Sequence, residues 1–221
     1  MRNLKITAIL QTGQVSTVDG YLPLDSILAA EWMRRNHPEL MLNDGTKTGE
    51  IIYADLPFKK INHPKGWYWA CSFAQYEKQG EYIAHWHKRF DECLAEKHIE
   101  FGEQRGKVLV NAGRYKNYRM PIVVILTDKL EWYCVGDPDG IRDLLDGVAA
   151  IGKKRSQGYG LVDKWIVEDW PEDWSEVGPS GKLMRAVHEL PKTVEKAQVM
   201  IWGMRPPYWL QSNKSVMYLP C

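Results

Sequence analysis

Apolar and polar residues alternate at the start of the chain. Leu4-Lys-Ile-Thr-Ala-Ile-Leu10 has the period of a half-buried strand. Gly13 and Gly20 punctuate the loop that follows. From Pro23 the period lengthens, with Leu24, Ile27, Leu28 and Trp32 at helical spacing behind a proline suited to the first turn. His37-Pro38 and Asn43-Asp44-Gly45 end that helical region. Alternation returns at Trp67 to Phe73, where Trp67, Trp69, Cys71 and Phe73 are expected to share one face of a second strand. Between Tyr82 and Lys97 the pattern predicts a helix. Pro121-Ile-Val-Val-Ile-Leu126 is the most strand-like run, and Glu131 to Val135 continues or partners it. Asp137-Pro138-Asp139-Gly140 signals a helix start, and Ile141, Leu144, Leu145 and Val148 supply its stripe. A last strand is expected over Leu161 to Val167.

The order is strand, helix, strand, insertion, strand, helix, strand. It predicts an α+β fold, a ferredoxin-like (RRM-like) βαββαβ domain. That domain spans 1–170, with a basic insertion at 78–118 between the second and third strands and a C-terminal extension over 171–221. Such a frame hosts many activities, so function must come from its sites.

Composition narrows the choice. The chain has 221 residues, 44% hydrophobic and 26% charged, with a net charge of +1, which fits an ordinary globular protein without a global polyanion signal. No apolar run approaches the roughly 20 residues that span a bilayer. Met1-Arg2-Asn3-Leu4 lacks an apolar core followed by a small-residue cleavage site, so no signal peptide is expected. The cysteines, Cys71, Cys93, Cys134 and Cys221, form no CxxC pair, which argues against structural zinc and a disulfide framework. A reduced, cytoplasmic protein with neither metal nor cofactor is expected, with no membrane partner. Ten Trp and eleven Tyr against four Phe favour aromatics with a polar handle, suited to wet interfaces and stacking.

Two segments concentrate the chemistry. Gly152-Lys153-Lys154-Arg155-Ser156-Gln157-Gly158-Tyr159-Gly160 joins the second helix to the last strand, and no acidic residue lies between Gly147 and Val162. Glycines permit positive φ and close approach to a ligand. Consecutive amides form anion-binding concavities, and the three cations can hold phosphates. A mononucleotide P-loop is excluded, because it needs GxxxxGK[ST] between a strand and a helix, in that order. A tight connection with a solvated basic edge is the plain alternative. The second segment, Gln104 to Thr127, also lacks acidic residues and carries Arg105, Lys107, Arg114, Lys116 and Arg119, with Tyr115 and Tyr118 interleaved. Cations interleaved with aromatics suit single-stranded RNA, which offers phosphates and splayed bases. A solvated loop face is the alternative there.

A helix followed by a Gly-basic-Ser-x-Gly-aromatic-Gly loop and a strand resembles the G-loop of the RAMP superfamily of CRISPR RNA-binding proteins. With Leu22-Pro23-Leu24-Asp25-Ser26-Ile27-Leu28, Lys88-Arg89-Phe90-Asp91 and Gly203-Met204-Arg205-Pro206-Pro207-Tyr208-Trp209, the chain resembles the Cas-five-like subunit of type IV CRISPR effector complexes over roughly residues 4 to 209. The resemblance implies a non-catalytic role: binding the 5′ handle of the guide RNA (crRNA) and capping the filament of a Cas-seven-like backbone subunit. It also implies contact with the large subunit, and target DNA met only indirectly through the complex. The 78–118 insertion then holds the place of a thumb over the RNA. Lys88 and Arg89 join the two basic segments as candidate RNA contacts.

Two other functions compete. Some relatives are metal-independent endoribonucleases, which need a base, an acid and a cation. Among His37, His63, His85, His87, His98 and His188, His37 after the first helix is the best candidate, although His37-Pro38 is also an ordinary helix stop. His85 and His87 cannot share a face if 82–97 is helical, so no metal pair is expected there. The third possibility is a protein-interaction subunit without direct RNA contact, docking through the aromatic tail Trp202 to Trp209. Packing of that tail back on its own domain is the plainer alternative.

Overall fold

The computed structural model describes residues 1–17, 20–41, 51–98 and 110–221. In chain order its elements are β1 (Arg2–Leu10), β2 (Gln14–Val15), α1 (Leu24–Asn36), α2 (Pro38–Met41), β3 (Lys60–His63), β4 (Gly66–Trp69), β5 (Gly80–Lys88), α3 (Glu92–His98), β6 (Tyr118–Leu126), β7 (Lys129–Gly136), α4 (Pro138–Leu145), β8 (Val162–Asp169), β9 (Gln198–Gly203) and β10 (Lys214–Leu219). This is a mixed α+β architecture with antiparallel sheets and few helices. Two units are distinguished, one of Met1–Gly80 with Ile125–Cys221, the other of Glu81–Val124.

Within the first unit, β1 lies between β7 and β8 and runs antiparallel to both. Its alternation sends Leu4, Ile6, Ala8 and Leu10 into the core. Leu4 faces Cys134, Ile6 faces Trp132 and Ala8 faces Leu130 on one side, while Val167 and Trp165 flank Ile6 and Ala8 on the other. Leu24 and Leu28 of α1 close over these residues with Ile141, Leu144 and Leu145 of α4. Each such side chain contributes about 1.5–3 kcal/mol by burial. Trp132 is fully buried and its indole donates to the Leu22 carbonyl at 2.7 Å.

The helix-start signal before α4 works as its residues require. Asp137 accepts from the Gly140 amide at 2.9 Å, with Pro138 in the first turn. Because α4 connects β7 to β8 across the central strand, the loop between α4 and β8 emerges beside β1 and β2, and this fixes the position of residues 152–160.

Two expectations differ from what is observed. Residues 67–73 do not form one strand. Instead β3 and β4 make a hairpin in which Lys60 faces Trp69, turning at Gly66 with φ of 139°, a value that favours glycine. Past Trp69 the chain follows the outer side of β7 irregularly, through single bridges of Cys71 to Cys134 and Gln75 to Glu131. Phe73 leaves the Trp69 and Cys71 cluster for one with Met204, Met217 and Leu219. Residues 82–88 are strand rather than helix. Tyr82, Ile83 and Trp86 are strand formers, and the half-buried positions, Ala84 and Trp86, alternate with exposed Ile83, His85 and His87. The helix begins only at Glu92, behind Asp91, whose carboxylate accepts from the Leu94 amide at 3.1 Å.

The C-terminal residues add the β9–β10 hairpin to the first unit. A buried cation ties this segment to the rest. The Arg185 guanidinium donates to the carbonyls of Trp69, Cys71 and Met204. Tyr208 donates to the buried carboxylate of Asp25 at 2.8 and 2.9 Å. Asp25 is pushed up by burial, against the opposing pull of Arg185. Arg205 stacks on Tyr53 and Trp67 and donates to the Trp67 carbonyl at 3.0 Å. Of the expected aromatic tail, Tyr208 thus packs inward, whereas Trp209 is 76% exposed.

Candidate nucleic-acid interface

The 152–160 loop is a tight turn held by backbone hydrogen bonds. Gly152, Lys154, Gly158 and Gly160 all take positive φ, Lys154 with φ of 55°, and a short 3-10 turn spans Arg155–Gln157. The loop is stapled to the β2 segment: the Lys153 amide donates to the Ser16 carbonyl at 2.8 Å and the Gly160 amide to the Gln14 carbonyl at 2.7 Å. These bonds explain two of the glycines. A Cβ on Gly152 would run into the Ser16 carbonyl oxygen, and one on Gly160 into that of Ile151, so both serve close packing of the chain on itself. Only Gly158 faces open space and leaves room for a ligand to approach the backbone.

The side chains radiate from this fixed turn. Lys153, Arg155, Ser156 and Gln157 are exposed, while Lys154 and Tyr159 are partly covered. Neither Lys153 nor Arg155 forms an ion pair among the described residues. Their donors face solvent with no carboxylate in the loop to neutralise them. Such a turn can hold two or three phosphate oxygens through charge-assisted hydrogen bonds.

The second basic segment lies in the Glu81–Val124 unit. Lys88, Arg89, Tyr118 and Arg119 line a shallow cleft of about 320 Å³ together with His87 and Asn117. Two aromatic pairs stiffen this region: Trp86 on Tyr118, with ring centres 5.1 Å apart, and Phe90 on Tyr115, at 4.9 Å. Lys88 sits 5.8 Å above the Tyr118 ring. Lys116 and Tyr115 are exposed. Arg105 and Lys107 lie outside the described residues, as does the side chain of Arg114. The 152–160 loop belongs to the other unit.

The strand also brings forward a pair that the helical expectation had separated. His85 and His87 share one side of β5, with ring centres 6.4 Å apart. Arg119 lies 3.1 Å from His85 Nδ1. Lost solvation, then Arg119 and His87, push His85 below the ordinary imidazole value. No group of three or more potential metal ligands occurs among the described residues. His37 ends α1, its amide donating to the Met33 carbonyl. Its ring packs 5.5 Å from that of Trp32, and its Nδ1 lies 3.4 Å from Glu39.

A groove that sequence reasoning missed runs beside the loop. Ser26, Ile27, Ala30 and Arg34 of α1 form one wall and residues 147–152 the other, with Arg155 at the rim, enclosing about 560 Å³. Part of the signal was present in α1, where Ala30 lies exposed off the stripe of Leu24, Ile27 and Leu28.

No described helix is long and apolar enough to cross a membrane. The family model described as CRISPR type IV associated protein Csf3 matches residues 2–220. No curated protein matches the chain significantly.

Proposed function

Because the chain belongs to the Csf3 family, the Cas5-like subunit of type IV CRISPR systems, we propose that it is a non-catalytic, RNA-binding subunit of the effector ribonucleoprotein. In this reading it binds the 5′ handle of the guide RNA and caps the filament of the Cas-seven-like backbone subunit, beside the large subunit. The carrying observation is the 152–160 loop: a turn fixed by backbone bonds to β2, with exposed Lys153 and Arg155 unpaired among the described residues. A pre-formed cationic turn costs little ordering when a phosphate arrives.

A ferredoxin-like frame is supported by several features of the first unit. β7, β1 and β8 are antiparallel neighbours, α1 follows β1, α4 joins β7 to β8, and residues 70–75 edge β7. The Glu81–Val124 unit, inserted between that edge and β7, fits the thumb. Its cleft of Lys88, Arg89, Tyr118 and Arg119 offers charge with stacking faces. An RNA-cutting role is less supported, since the contacts of His37 with Trp32 and Glu39 are those of a helix stop. Contact with protein subunits is supported by a different surface, where Val199, Ile201 and Val216 stand 57–68% exposed on one face of the β9–β10 hairpin.

The test is purified protein with labelled CRISPR repeat RNA from the same host, without metal, on native and denaturing gels. A shift with intact RNA is expected, and replacing Lys153, Lys154 and Arg155 by Ala should weaken it. Each lost phosphate contact on a single strand removes about 0.7 from the slope of log affinity against log salt. An unchanged slope overturns the loop assignment. A discrete cut replaces the binder with an endoribonuclease, with His37→Ala and His85→Ala as the variants to compare.

A further inference from the structure

The groove beside the loop differs in chemistry from the loop itself. Its floor is apolar, made by Ile27 and Ala30 of α1 facing Val148 and Ile151. Its volume of about 560 Å³ falls within the about 300–1,000 Å³ of clefts that take small organic groups. Phosphate is a poor occupant for such a floor, because burying it away from donors is costly.

The wall residue Arg34 decides what fits. Its Nε and Nη2 each donate to one Glu31 carboxylate oxygen at 2.7 Å. That two-point pairing uses the guanidinium's fork and holds its plane. Glu31 is itself buried against Gly147, where any Cβ would strike the carboxylate, and it also accepts from Arg35 Nε at 2.6 Å. Arg35 in turn pairs with Asp143 at 2.7 Å, so two arginines meet two carboxylates at this corner and Glu31 is left to hold the Arg34 plane. Arg34 remains 59% exposed. A planar cation whose hydrogen-bonding edge is taken and whose face is open is a stacking platform for a nucleobase. On the adjoining rim Arg155, with Lys153 close in sequence, supplies the charge for the phosphates on either side of such a base.

We infer that this groove takes one unstacked base of the bound RNA strand, packed on the Arg34 plane over Ile27 and Ala30 while its phosphates lie on the 152–160 loop. The inference rests on the RNA-binding reading and deepens it. It divides the work between two neighbouring surfaces, charge on the loop and stacking in the groove.

The two contributions separate experimentally. Repeat RNA from the host is prepared intact and as a series of single abasic substitutions through the handle, and affinity is read by fluorescence anisotropy at several salt concentrations. One abasic position should cost the unaltered protein about tenfold, in keeping with base stacking on a protein surface. Ala30→Trp, at an exposed helix position, fills the groove. It should bind intact RNA as weakly as the unaltered protein binds that abasic RNA, with no further loss on the abasic strand. Arg34→Lys keeps the charge and loses the plane, and should remove most of the same discrimination while leaving the salt slope unchanged. The Ala triple variant of the loop should do the reverse, lowering the slope and keeping the abasic penalty. If the unaltered protein binds RNA but no abasic position matters, or if both groove variants keep the full penalty, the groove assignment falls and the RNA-binding reading stands. If the unaltered protein binds no RNA, the RNA-binding reading falls and takes the groove assignment with it.

Discussion

Arg185 and Arg155 are the same residue type in opposite circumstances. Arg185 is 1% exposed and directs its donors to the main-chain carbonyls of Trp69, Cys71, Ala186 and Met204, with the Tyr68 ring 4.4 Å from its guanidinium carbon. Arg155 is exposed on a tight turn and forms no ion pair among the described residues. Burying a charge is tolerable only when its hydrogen bonds are largely satisfied internally, and Arg185, sealed from solvent, is out of a ligand's reach. An exposed guanidinium on a fixed turn keeps its donors for an incoming anion. The lesson is that a basic residue serves function here when its donors remain unused, not merely when it lies in a basic stretch.

Substitutions can break that contrast. The largest effect is expected from Arg185→Ala, which removes the side-chain donor to the carbonyls of Cys71 and Met204 and leaves Asp25 without its nearby cation. A loss of about 3–5 kcal/mol is expected in urea unfolding. Lys153→Ala and Arg155→Ala in the loop should each stay within about 0.5 kcal/mol, as exposed positions do. Equal losses would erase the distinction between the two arginines. Tyr208→Phe sharpens it on the buried side, because it strips Asp25 of its hydroxyl donor. About 1–3 kcal/mol is expected by the same measurement.

A smaller effect depends on pH. His188 is buried and stacked on His63, with ring centres 4.5 Å apart, and burial, with His63 adding to it, lowers its pKa to about 4. An unfolded histidine titrates near about 6.5, so in the window between these values the unfolded chain binds the extra proton. Stability held above that window should therefore fall as pH drops from 6.5 towards 4. His63, Lys65 and Arg185 oppose protonation of His188 and Glu189 favours it. Urea midpoints at pH 7.5 and 5.5 should differ for the unaltered protein and converge for His188→Gln; equal midpoints in the unaltered protein would refute the assignment. The smallest of the stability losses at structured sites is Asp137→Ala at the start of α4, at about 1 kcal/mol by thermal melting.

Much of the first unit was legible because its signals are local. The β1 alternation, the Pro23 start of α1, the Asp137 cap and the β8 strand each follow from a few neighbouring residues. The family resemblance was legible for the same reason, from short strings of residues, and the match over residues 2–220 agrees with it. Residues 82–88 were misread because a short apolar and aromatic run fits either period. Only pairing of β5 with β6 chose the strand, and it brought His85 and His87 onto one side.

The sequence by itself determined the kinds of chemistry available: an acid-free loop of glycines and cations, a second basic segment interleaved with tyrosines, and the helices and strands that carry them. It also held one unused hint, a single arginine inside the apolar run Leu183-Met184-Arg185-Ala186-Val187. Tertiary structure alone decided which cations are used up and which remain open. Long-range bonds drew Arg185 to Trp69 and Cys71, and seated Gly152 and Gly160 against Ser16 and Ile151. They also set α1 against the residues before the loop, making a groove from segments more than a hundred residues apart. Such choices depend on which polar groups lose water when the core closes, and desolvation is a property of the folded whole rather than of any stretch of sequence.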